Sequence, residues 1–259
     1  MHRTKVRVVE DALDANNTIA QANRDDFDRS NVTVVNLMSA PGAGKTTLLE
    51  SGLVGLDEEG LRVGVLEGDV AGSFDADRLS VLHIPVTQLN TDNGFGGECH
   101  LDANMVRSAL PAVALADIDV LIVENVGNLV CPAEFRIGED SRIMVCSVTE
   151  GEDKPLKYPL MFRACEMVVI NKVDLLQYLE FDVDRLEANI LQVNPQATVL
   201  RVSAKTGEGI DAFRAWLQAL PARIAEERHA PEHGHDHDHD GHADHDHGHG
   251  EHDHEHATA

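Results

Sequence analysis

The sequence predicts an α/β fold: a mainly parallel sheet between two layers of helices, followed by a disordered His-rich tail. Three observations carry it. Short apolar runs alternate with helical segments from residue 31 to about residue 220, the pattern of parallel strands covered on both faces. One such run, Val32–Met38 (VTVVNLM), feeds a Gly-rich turn, Ser39-Ala40-Pro41-Gly42-Ala43-Gly44-Lys45-Thr46, and then a helix start. Another run, Val169-Ile170, feeds Asn171-Lys172-Val173-Asp174. Strand, Gly-rich turn and helix define a phosphate-binding P-loop, so the domain is a three-layer P-loop NTPase.

In chain order, residues 8–28 carry apolar Val9, Leu13 and Ala20 between polar positions and read as a weakly amphipathic helix. Residues 1–30 thus form an N-terminal helical segment and 31–222 the nucleotide domain. Beyond Val32–Met38, the expected strands are Arg62–Leu66, Val120–Val123, Ile143–Val148, Met167–Ile170 and Thr198–Val202. Leu101–Ala116, Val183–Val193 and Ile210–Leu220 are the expected helices, the last closed by Pro221. Residues 223–259 form the tail, rich in His, Asp and Gly after Arg228.

The formal net charge of −24 argues against nucleic acid and anionic membranes as partners. Residues 230–259 contribute nine acidic and no basic residues, which leaves −15 on residues 1–229. No run approaches the roughly 18 apolar residues of a membrane span, and the N-terminus lacks the apolar core of a signal peptide. Four cysteines without an export signal point to reduced thiols and a cytoplasmic protein.

Each motif brings its own chemistry. Gly42, Ala43 and Gly44 let backbone N–H groups turn inward onto an anion, and the following helix adds the free N–H groups of its first turn. Lys45 reaches the β- and γ-phosphates, Thr46 places a hydroxyl on Mg²⁺, and Thr47 follows in the same helical turn. The first glycine of the usual pattern is Ser39 here. Asp174 can accept from N1–H and the amino group of guanine; adenine lacks that donor pair and would leave a carboxylate unpaired. Lys172 lies along the base, Asn171 ties its loop to the P-loop, and backbone N–H groups of Ser203-Ala204-Lys205 meet guanine O6. These residues select GTP over ATP. Asp69 and Glu124 end two strands and are the candidates for the Mg²⁺ hydration shell; Asp75, in the loop after Asp69, is the candidate that orients attacking water. Gly127 lies where a backbone N–H senses the γ-phosphate. Residues 69–78 and 125–137 are the two candidate switch segments.

Cys99, His100 and Cys131 lie in loops and supply two thiolates and an imidazole, a set suited to Zn²⁺ or Ni²⁺. Water, Asp102 or a second subunit would complete it. Cys146 and Cys165, inside or beside apolar runs, read as core residues. The tail holds 12 of the 15 histidines, among them His233, His235, His237, His239, His242, His245, His247, His249, His252, His254 and His256. Imidazoles mixed with carboxylates bind Ni²⁺ and related divalent ions, and a flexible 30-residue tail reaches roughly 30 Å.

With NLMSAPGAGKTTLLE, LEGDV, DADR, ECHLDANMV, ENVGNLVCPAEF, GEDKPLKYP and NKVDLL, the chain resembles the hydrogenase nickel-incorporation GTPases, the HypB family, over about residues 8–222. In that family the serine at the Ser39 position is ordinary. The resemblance implies a GTPase that loads nickel during [NiFe]-hydrogenase maturation and in some organisms serves urease. It implies that Cys99, His100 and Cys131 form a metal site at a GTP-promoted homodimer interface. It further implies two partners, a nickel-binding accessory protein and the hydrogenase large subunit. Three features differ: the Cys-rich N-terminal motif of some members is absent, the His-rich segment follows the nucleotide domain, and Asp92–Gly97 is longer than usual. A urease-dedicated nickel GTPase would carry Cys-Pro-His, whereas Cys131-Pro132 precedes Ala133 here. A metal store with a vestigial nucleotide domain would not need Lys45, Thr46, Asp69 and Asp174 intact.

Overall fold

A computed structural model describes residues 10–69, 74–91 and 98–229; residues 230–259, with the tail histidines from His233 to His256, and the loop Asp92–Gly97 lie outside the described residues. The chain begins with α1 (Glu10–Arg29), β1 (Thr33–Ser39), α2 (Lys45–Leu53), β2 (Val63–Asp69) and α3 (Phe74–Ser80). It continues with β3 (Val86–Asn90), α4 (Ala103–Ala109), β4 (Val120–Glu124), a single helical turn α5 (Cys131–Glu134) and β5 (Ser141–Ser147). Two further short helices, α6 (Lys154–Lys157) and α7 (Pro159–Arg163), precede β6 (Met167–Asn171), α8 (Val183–Val193), β7 (Thr198–Arg201) and α9 (Ile210–His229).

Among the described residues seven strands pair in parallel, in the order β3-β2-β4-β1-β5-β6-β7. Val, Ile, Leu and Met dominate β1, β4, β5 and β6, which are buried along their whole length, as strands with helices on both faces require. Register aligns the functional ends: Glu67 and Leu37 both pair with Glu124, and Ser147 pairs with Asn171. The carboxyl ends of β1, β2, β4 and β6 therefore form one edge, where open α/β sheets bind ligands.

Four local features depart from the sequence expectations. The segment expected as one helix over Leu101–Ala116 is helical only over Ala103–Ala109, followed by 3₁₀ turns at Leu110–Ala112 and Leu115–Asp117. Pro111, which has no N–H to donate, sits where the α-helix stops. Val86–Asn90 is an unexpected strand: an edge position beside β2 leaves Thr87 and Gln88 half-exposed, so no apolar run marks it. Asp75 lies in the first turn of α3 and not in a loop. Pro221 does not close the last helix, which runs on to His229; burial of Leu217, Leu220 and Ile224 offsets the missing hydrogen bond.

Helix α1 is held to the domain by amides as much as by apolar contact. Asn23 is fully buried and donates to Ala103 O at 2.8 Å and Ile137 O at 3.1 Å. Asn16 donates to Arg136 O at 2.8 Å and accepts from Ala103 N at 3.0 Å. Phe27 completes this face inside the core cluster of Leu66, Leu101 and Val123. On the opposite side of the sheet the Phe213 ring of α9 sits on Gly52 of α2, so close that a Cβ there would lie 2.8 Å from the ring.

Phe213→Ala opens a cavity between α2 and α9 and is expected to lower unfolding stability by about 3–5 kcal/mol, read from the urea midpoint at constant m-value. A loss below about 1 kcal/mol would mean that α9 does not anchor α2.

Candidate functional site: a nucleotide edge beside a thiol–imidazole cluster

The P-loop turns through two residues in the left-handed region, Gly42 (φ +75°) and Gly44 (φ +94°). A side chain at Gly44 would meet Asn171 Nδ2 at 2.7 Å, so glycine is required for the neighbouring loop to approach. Ser39, at the position of the usual first glycine, accepts from Lys45 Nζ at 2.9 Å. Its hydroxyl holds the ammonium over the loop, which gives the serine a physical role that glycine lacks. Burial pushes the Lys45 pKa down, against the pull of Glu124, Asp75 and Glu67.

Thr46, on the first turn of α2, donates to Glu124 Oε1 at 2.9 Å. Glu67 Oε2 and Glu124 Oε2 are buried with no hydrogen-bond partner. Burial, then the charges of Glu124, Asp69 and Asp75, push the Glu67 pKa up to about 8. Burial also raises that of Glu124. Hard, partnerless oxygens beside a threonine hydroxyl fit a divalent cation such as Mg²⁺, which would relieve this repulsion. Glu67 was not among the residues expected at the site. It stands two positions before Asp69 on the same strand, so the two share a face. Arg78 was likewise unforeseen: it pairs with Glu50, contacts Asp75 at 3.2 Å and donates to Thr47 Oγ1 at 3.0 Å. Gly42, Gly44, Lys45, Thr46, Thr47, Asp75, Glu124 and Lys172 line one cavity of about 310 Å³.

A second cavity of about 390 Å³ adjoins it, lined by Gly44, Thr47, Asn171, Lys172, Asp174, Leu175, Ala204 and Lys205. Asn171 is the junction. Its amide donates to Ala43 O at 3.0 Å, and its oxygen accepts from Lys172 N at 2.7 Å and Ala204 N at 3.1 Å. Lys172, itself left-handed at φ +65°, donates through Nζ to Gly42 O at 2.6 Å. Ser203 is fully buried and donates to Asp174 Oδ1 at 2.6 Å, which fixes the carboxylate that faces the cavity.

Past the ends of β3 and β4, Cys99, His100 and Cys131 converge: their ligand atoms lie within 4.8 Å of one another. Cys99 Sγ is 3.2 Å from Cys131 Sγ and 3.6 Å from His100 Nδ1. The Cys131 thiol, then burial, raise the Cys99 pKa, while burial lowers that of His100. The lowered His100 pKa favours the neutral imidazole that a metal binds, whereas the raised Cys99 pKa favours the thiol, whose proton a metal would have to displace. His100 Nε2 is buried without a hydrogen-bond partner, and its ring tilts onto Phe135 at 4.4 Å. Cys146 and Cys165 are buried in the core, as expected. Gly127 presses on the P-loop: a Cβ there would lie 3.0 Å from Pro41 Cα.

These features define a P-loop nucleotide-binding protein with a thiol–imidazole cluster beside the nucleotide edge. The family model for the CobW/HypB/UreG nucleotide-binding domain matches residues 33–201. The hydrogenase maturation factor HypB of Escherichia coli K12 is 47% identical over 216 residues, 83% of this chain and 73% of that protein. The probable hydrogenase maturation factor HypB of Methanocaldococcus jannaschii is 40% identical over 211 residues, 82% of this chain and 93% of that protein. Two crystal structures are similar: HypB of Archaeoglobus fulgidus (36% identity, TM-score 0.73, 80% of this chain and 98% of that one) and HypB of Helicobacter pylori in complex with nickel (34%, 0.74, 81% and 96%). The chain belongs to the HypB family of hydrogenase maturation factors. Among the described residues no helix is long and apolar enough to cross a membrane.

The raised pKa of Glu67 sets a pH dependence. The folded protein keeps that proton to about pH 8, whereas an unfolded glutamate releases it near 4.5, so between those values the folded state binds more protons. Stability of the nucleotide- and metal-free protein is expected to fall as pH rises through this window, by at most about 1.4 kcal/mol per pH unit for one proton. Urea titrations at several pH values should show this slope reduced in Glu67→Gln; an unchanged slope would remove Glu67 as its source.

Proposed function

We propose that this protein is a GTP-hydrolysing nickel metallochaperone that couples nucleotide-dependent dimerisation to nickel delivery during [NiFe]-hydrogenase maturation. The observation that carries this reading is the common edge: Cys99, His100 and Cys131 sit on segments that follow β3 and β4, beside the ends of β1, β2 and β4 that carry the P-loop, Asp69 and Glu124. The nickel complex of the similar Helicobacter pylori HypB supports nickel as cargo.

In this reading Asp174, Lys172 and Asn171 with Ser203, Ala204 and Lys205 hold the guanine. Gly42 to Thr47 hold the phosphates. Thr46, Asp69 and Glu124 hold Mg²⁺ and its water, which neutralises the developing charge; Lys45 stabilises the γ-phosphoryl, and Asp75 orients the attacking water. Gly127 reports the γ-phosphate to the segment that ends at Cys131. Two-fold pairing brings two copies of the Cys/His cluster together and supplies the ligands that one chain lacks. The tail histidines, from His233 to His256, buffer nickel. Zn²⁺ competes for the same thiolates. Residues 1–30, 31–222 and 223–259 are the N-terminal helical segment, the nucleotide domain and the metal-binding tail of a cytoplasmic protein whose partners are a nickel-binding accessory protein and the hydrogenase large subunit.

Asp174→Asn tests base recognition, because the variant amide offers a donor where guanine needs an acceptor. It is expected to weaken GTP at least tenfold and to favour xanthosine triphosphate in competition binding; GTP affinity equal to the parent would refute the guanine assignment. Removal of residues 230–259 is expected to leave GTP turnover unchanged and to remove most of the bound nickel, measured by metal analysis after gel filtration at pH 7.5. In the full chain that nickel should leave as pH falls through about 6.5, where imidazole gains a proton. Full nickel stoichiometry in the shortened protein would refute the buffering role.

A further inference from the structure

We infer that Asn128 is the positioning residue through which nucleotide state reaches the Cys/His cluster, an inference that rests on the coupling proposed above. The segment after Glu124 touches three places in succession. Asn125 is fully buried, accepts from Leu101 N at 2.9 Å through Oδ1, and donates to Asn36 Oδ1 of β1 at 3.2 Å. Gly127 rests against the first turn of the P-loop, 3.0 Å from Pro41 Cα for any added Cβ. Asn128 then joins the two halves of the cluster with one side chain. Its Nδ2 donates to Cys99 O at 3.1 Å, and its Oδ1 accepts from Val130 N at 2.8 Å, next to Cys131.

The consequence is geometric. Cys99 and Cys131 are 32 residues apart, and the Asn128 amide is a hydrogen-bonded link between their backbones that adjoins Gly127. A shift of Gly127 toward a γ-phosphate must carry Asn128 with it, because the two are adjacent. That shift changes the distance between the loops bearing Cys99 and Cys131 while Asn125 keeps Leu101 tied to β1. Metal affinity then depends on nucleotide, without any nucleotide atom touching a metal ligand.

The test uses the full chain. Thiolate-to-nickel charge-transfer absorbance reports the cluster alone, since the tail contains no cysteine. Nickel is buffered by nitrilotriacetate, and affinity is measured in the GDP and GTP-analogue states for the parent, Asn128→Ala and Asn128→Asp. Asn128→Asp keeps the acceptor for Val130 N and loses the donor to Cys99 O, which separates the local turn from the bridge. The parent is expected to differ at least fivefold between states, and both variants less than twofold, with the band intact at saturating nickel and melting temperatures unchanged. A parental ratio retained in Asn128→Asp overturns the inference. Loss of the band in both variants at saturating nickel also overturns it, since Asn128 would then be scaffold for the cluster. Equal affinities in the parent would instead overturn the coupling itself.

Discussion

The nucleotide half of the molecule depends on one buried amide. Asn171, at the end of β6, joins the P-loop, the loop that bears Lys172 and Asp174, and the loop of Ser203 and Ala204 through bonds of 2.7–3.1 Å. The bonds to Ala43 O and Ala204 N satisfy backbone groups that would otherwise be buried unpaired, at a cost of about 1–3 kcal/mol apiece. Because they share one side chain, the three loops stand or fall together. Gly44 serves the same junction: it has no Cβ, and any Cβ would collide with the Asn171 amide.

The thiol–imidazole cluster is built on a contrasting principle. Its side chains sit on two separate segments, with Cys99 exposed and His100 and Cys131 half-buried. Nearby, Arg142 pairs with Glu139 and caps Ala133 O and Phe135 O, which keeps the far end of the Cys131 segment fixed to β5. The near end follows Gly127 and the P-loop. One end fixed to β5 and one end against the P-loop is an arrangement compatible with the coupling proposed above.

Much of this was legible in the sequence where chemistry is packed into short runs at strand ends. The P-loop, N-K-x-D and the Cys/His residues stand where their motifs place them, and the buried strands β1, β4, β5 and β6 announce themselves as apolar runs. Other features were hidden for physical reasons. The inward face of α1 uses Asn16 and Asn23, whose polarity reads as solvent-facing until their carbonyl partners are known. The edge strand β3 needs only one partner and little apolar surface. Glu67 looks like an ordinary strand acid until register sets it beside Glu124. Asn125 and Asn128 each reach one backbone group distant in sequence, Leu101 N and Cys99 O, which no spacing rule records.

If guanine nucleotide and nickel bias the same structural element, as proposed, each alters the other's affinity by one factor. The most direct measurement is the affinity of fluorescent GDP and of a fluorescent GTP analogue for the full chain, with and without saturating nickel, beside the same titrations of Cys99→Ala. Nickel is expected to change the ratio of the two nucleotide affinities at least fivefold in the parent and to leave it unchanged in Cys99→Ala, where the Cys/His cluster is broken. An unchanged ratio in the parent, or an equal change in Cys99→Ala, would contradict the proposed coupling.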